Sequence, residues 1–71
     1  MQNWQQHIES NPDKLYGKPV IKNTCIPVDL ILEKLAYGES IEQLLAAYPR
    51  IVKADIYACL FFAAASFLPI N

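Results

Sequence analysis

Residues Ser40 to Phe62 read SIEQLLAAYPRIVKADIYACLFF, and the order of signals inside this stretch decides the fold. Ser40 followed three residues later by Gln43 is a capping-box signature: hydroxyl and amide each satisfy a backbone N–H that a helix start leaves unpaired. Ile41, Leu44, Leu45 and Tyr48 fall on one helical stripe. Pro49 stops that helix, because the residue before a proline is pushed out of the α region. After the tight turn Tyr48-Pro49-Arg50-Ile51, a longer helix starts near Val52 and runs to about Phe67, with Asp55 in its first turn, where a carboxylate favours the dipole. Ile56, Cys59, Leu60 and Ala63 are expected on its inward stripe, and Pro69 closes it.

Upstream, Val28, Ile31, Leu32, Leu35 and Ala36 keep helical spacing behind Asp29 as an N-cap, and Gly38 takes the C′ role. The three helices are placed at about 29–37, 41–48 and 52–67. Before them, Val20-Ile21 and Ile26 to Val28 flank Asn23-Thr24, which reads as a hairpin over 18–28 with Asn23 in the left-handed turn position. Pro19 and Pro27 confine both legs to edges, since proline donates no ladder hydrogen bond. Such a ribbon is marginal alone and must pack on the helices or on another chain. Residues 1–16 form an arm in which Asn11-Pro12-Asp13 is a turn and Ile8 begins a short edge strand. The expected fold is mainly α: a three-helix, homeodomain-like bundle with a helix-turn-helix unit, preceded by a short β-hairpin.

Seventy-one residues allow one core, near the size limit for a fold without disulfides or metals. Hydrophobic residues are 54% of the chain and charged ones 18%, more apolar surface than so small a body hides easily, so self-association is expected. The apolar run Ile56 to Leu68 covers about thirteen residues against the roughly twenty of a membrane span, so no membrane insertion is expected. Cys25 and Cys59 lie far apart with no CxxC or Cys/His cluster, which suggests neither a zinc site nor a disulfide framework but reduced thiols in a cytoplasmic protein. The N-terminus lacks a basic region followed by an apolar core, so no secretory signal is expected.

The stretch Gly17-Lys18-Pro19-Val20-Ile21-Lys22-Asn23-Thr24-Cys25-Ile26-Pro27-Val28 resembles the signature Gly-Lys-Pro-x-Ile-x-Gly-Thr-Arg-Ile-Pro-Val of the domain of unknown function 433 family. The resemblance continues through Leu35-Ala36-x-Gly38, Ser40 to Leu45, Tyr48-Pro49 and Asp55-Ile56, to about Ala64. It implies an antitoxin-like protein that masks a PIN-like ribonuclease toxin as a homodimer, with weak binding to operator DNA. Three departures qualify this. Asn23 replaces the turn glycine, which the left-handed turn accepts. Cys25 replaces an arginine, which removes a planar cation suited to carboxylate or phosphate. Val52 replaces a Ser/Thr cap worth roughly 1 kcal/mol.

A net charge of −1 argues against strong nucleic-acid binding, whose affinity comes mainly from neutralised phosphates. Arg50, Lys53 and Tyr57 are the only groove-facing candidates at the start of the third helix, with Lys22, Lys14 and Lys18 as phosphate contacts from the N-terminal region. The other signal is apolar. Tyr57, Phe61, Phe62, Ala64, Phe67 and Leu68 exceed what one inward stripe absorbs, and such a patch marks a dimer seam or partner interface. His7 is alone, the carboxylates are scattered, and no nucleophile, base and orienter assemble, so neither catalysis nor a cofactor is expected. A PIN-type nuclease needs clustered carboxylates for metal, so this chain reads as the partner of such an enzyme. The alternative is a homodimeric interaction or structural module that has lost DNA recognition.

Overall fold

A computed structural model describes residues 4–13 and 17–67 of the chain, with the Phe67 side chain excepted. Lys14, Leu68 and Pro69 lie outside the described residues. After a 3-10 turn at Trp4–Gln6 come strands β1 (Ile8–Ser10) and β2 (Pro19–Ile21), then helices α1 (Val28–Ala36), α2 (Ile41–Ala47) and α3 (Lys53–Phe67). The described residues are mainly helical, with three helices and one short antiparallel hairpin as expected.

The pairing within the hairpin differs from the expectation over 18–28. Strand β2 pairs with the arm, in the register Ile8↔Ile21, Glu9↔Val20 and Ser10↔Pro19. Ile26 and Pro27, expected as the second leg, contribute only the isolated bridge Val20↔Pro27 and one bond from the Ile21 N–H to the Ile26 carbonyl at 3.0 Å. Pro27 has no N–H to extend a ladder, and the chain enters α1 at the next residue. The turn itself is where the sequence places it. Asn23 has φ 65°, and the Thr24 N–H donates to the Ile21 carbonyl at 3.0 Å. Buried Thr24 locks this turn, its hydroxyl donating to the Ile21 carbonyl at 2.7 Å and accepting from the Ile26 N–H at 3.0 Å. In the arm, the Asn11 side chain accepts the Asp13 N–H at 2.8 Å, an Asx turn.

Helix α1 starts one residue earlier than expected. Pro27 takes the N-cap position with no side-chain bond, and Asp29 lies within the first turn, where it favours the dipole and pairs with Lys18 at 3.2 Å. At the other end Gly38, with φ 97°, closes a Schellman motif: its N–H donates to the Leu35 carbonyl and the Glu39 N–H to that of Lys34. Both halves of the capping box of α2 form, with the Gln43 N–H on the Ser40 hydroxyl at 3.1 Å and the Ser40 N–H on the Gln43 amide oxygen at 2.8 Å. Helix α2 ends at Ala47, and the Ile51 N–H bonds the Tyr48 carbonyl across the turn into α3.

Ile8 and Ile21 of the hairpin, Val28 and Ile31 of α1, Leu44 of α2, Ile51, and Ile56, Ala58 and Cys59 of α3 form one buried cluster. Trp4, Ile26, Leu32, Leu35, Ile41, Leu45, Tyr48 and Phe62 pack around it. The arm is therefore part of the core, and its packing sets which side of α3 is covered.

Candidate functional site

Helix α3 is apolar around most of its circumference, so its neighbours decide its orientation. Ile56, Ala58 and Cys59 are fully buried. Phe62, counted above with the surplus, turns inward and meets Trp4 edge to face, ring centroids 5.3 Å apart at 78°. Leu60, expected inward, turns out and is 41% exposed. Trp4 explains both corrections: the arm folds over the Phe62 side of α3, which rotates the covered arc toward residues 55, 59 and 62 and frees Leu60. A stripe count over the helix alone could not include an aromatic more than fifty residues upstream.

The uncovered side is apolar. Tyr57 (40% exposed), Leu60, Phe61 (47%) and exposed Ala64 line a shallow groove of about 310 Å³. With 100° per residue these positions share one face, and Lys53 stands at its N-terminal end. This is also the side on which a DNA-reading helix would offer hydrogen-bonding groups to the major groove. Here Lys53 and Tyr57 are followed by hydrocarbon. Exposed Arg50 belongs to the α2–α3 turn, exposed Lys22 to the turn after β2, and exposed Lys18 precedes β2 and pairs with Asp29, so the DNA-contact candidates among the described residues are spread along the chain rather than gathered on α3.

His7, read above as alone, is half-buried and has a partner. Its Nδ1 lies 2.9 Å from one carboxylate oxygen of Asp55. The other oxygen accepts the Val52 N–H at 2.9 Å, so Asp55 supplies half of a capping box and offsets the missing Ser/Thr hydroxyl. The acid three residues after Val52 was the available signal for that second bond; nothing local to His7 announced the first. Burial, and then the negative charge of Asp55, push the Cys59 thiol up to about 12, whereas Cys25 is exposed. Among the described residues no group of three or more His, Cys, Asp or Glu side chains could hold a metal ion, and no helix is long and apolar enough to cross a membrane.

A three-helix bundle with an arm-fed hairpin and an uncovered apolar helix face is the class these features define. The family model described as "Protein of unknown function (DUF433)" matches residues 8–63, and the chain belongs to that family. It is 39% identical over 56 residues to the uncharacterized protein y4eO of Sinorhizobium fredii, a match covering 72% of this chain and 25% of that protein. It also resembles the crystal structure of a DUF433 member protein from Anabaena variabilis, with a TM-score of 0.81 and 30% identity over 86% of this chain and 60% of that one. The chain thus spans a quarter of the length of the curated relative it matches.

Proposed function

We propose that this protein is a non-catalytic, homodimeric protein-interaction module whose contact surface is the outer face of α3. The observation that carries this reading is the groove of Tyr57, Leu60, Phe61 and Ala64, apolar and left uncovered by the described residues. Leaving Leu60 and Phe61 in water forgoes hydrophobic stabilisation of roughly 25 cal/mol for each Å² of apolar area, which association recovers.

The masking of a PIN-like ribonuclease toxin is the use that the family resemblance suggests for such a dimer, and we include it in the proposal on that ground. Operator DNA would then be a secondary and weak ligand, held by Arg50, Lys53 and Lys22 as phosphate contacts rather than by base readout. The run of hydrocarbon beyond Tyr57 on the α3 face, at Leu60, Phe61 and Ala64, supports this ranking. A titration of the DNA upstream of the gene at low and at moderate salt, beside light scattering on the protein alone, tests it. A dimer with weak, salt-sensitive DNA binding is expected. A monomer that binds the DNA tightly and keeps its affinity at moderate salt overturns the reading.

A further inference from the structure

The exposed residues of α3 have an order as well as a composition. Lys53, Tyr57, Leu60 and Ala64 succeed one another at intervals of four, three and four, the alternation by which one helix offers a seam to another. The groove residues are also arranged evenly in sequence about the Leu60–Phe61 step. Bulky Tyr57 lies as far before it as small Ala64 lies after it. The only charge among the described residues of this face, Lys53, stands at the first residue of α3, against the positive end of its own helix dipole. The last turn of α3 carries no basic residue.

We propose that a second copy of this chain covers the face, the two α3 helices packing antiparallel about a two-fold axis that passes beside Leu60 and Phe61. This deepens the homodimer reading and rests on it. The two-fold places Tyr57 of each protomer against the partner's Ala64, so that a large side chain meets a small one twice, and Leu60 and Phe61 of both protomers close the centre. The same rotation carries each Lys53 to the C-terminal end of the partner helix, where its charge complements the dipole it opposes at home. A parallel pair does the reverse. It stacks Tyr57 on Tyr57, leaves Ala64 facing Ala64 across a gap, and brings the two Lys53 ammonium groups together.

Cysteine cross-linking reads the orientation directly. Seven residues along a helix are about 10 Å, so in the antiparallel pair position 57 is beyond disulfide reach of its own copy and close to position 64 of the other. In a Cys25→Ser background, with Cys59 buried, the Tyr57→Cys and Ala64→Cys proteins are oxidised separately and after mixing. The mixture is expected to yield at least tenfold more covalent dimer than either protein alone. Equal cross-linking of the separate proteins, or none in any tube while light scattering reports a dimer, overturns the orientation and leaves the homodimer reading intact. A monomeric wild type overturns both. Lys53→Glu examines the same geometry without removing apolar surface: it places an acid at the favourable end of its own helix, so helicity should be unchanged while the dimer weakens roughly three- to tenfold. An equally tight or tighter Lys53→Glu dimer contradicts the antiparallel arrangement.

Discussion

Asp55 joins two ends of the chain: one carboxylate oxygen lies 2.9 Å from Nδ1 of His7, 48 residues away, and the other accepts the Val52 N–H at 2.9 Å. One side chain thereby starts α3 and ties the arm to it. Asp55→Ala removes both bonds and is expected to cost about 1–3 kcal/mol, against about 1 kcal/mol for His7→Ala. Denaturant unfolding of the two single variants and the double variant measures the coupling, and strictly additive losses would show that the two side chains act independently.

Trp4 and Phe62 supply the second tie between arm and α3. Because Trp4 is only half-buried, Trp4→Ala is expected to cost about 1–3 kcal/mol, less than a fully buried aromatic. Phe62→Glu should lower the thermal midpoint strongly, since it drives a carboxylate into the core, whereas Phe61→Glu should leave the midpoint of the monomer near that of wild type. Circular dichroism melts at a fixed low concentration separate the two.

The Cys59 thiol, ordinarily titrating near 9.0, is held protonated up to about 12 in the fold. Above pH 9 the unfolded chain releases this proton and the folded chain keeps it, so stability is lost progressively between pH 9 and 12, at up to about 1.4 kcal/mol per pH unit. Cys59→Ala lacks this slope, and its stability deficit relative to wild type should narrow as the pH is raised across that window. At pH 8 one equivalent of iodoacetamide should react, at Cys25.

Asn23 sits at φ 65° with its N–H directed to the Glu9 carboxylate at 3.4 Å. Asn23→Gly, which restores the residue of the family signature, should be neutral or slightly stabilising, and Asn23→Val should cost about 1–2 kcal/mol. Equal midpoints for the glycine and valine variants in urea would show that the turn is not held left-handed.

Local chemistry made much of this fold legible. The Ser40 and Gln43 pair, the stop at Pro49, the Gly38 terminus and the Asn23 turn each depend on two or three adjacent residues, and each lies where its motif puts it. What the stripe of α3 could not show was its rotation. Helical spacing ranks faces only when one is clearly more apolar, and here Leu60, Phe61 and Phe62 are equivalent by composition; a tryptophan from the arm decides among them. The His7 to Asp55 link was hidden for the same reason, since it is a product of the tertiary fold and not of spacing. Strand β1 was foreseen at Ile8, yet its partner was not, because Pro27 competes for β2 in sequence and loses it for want of an N–H.

Light scattering across a dilution series tests the role of the α3 face most directly. The wild type should show a mass near twice the 8.0 kDa of one chain at micromolar concentration, and Phe61→Glu the mass of a single folded chain. A wild type that remains monomeric at high concentration, or a Phe61→Glu variant that dimerises as tightly as wild type, would contradict it.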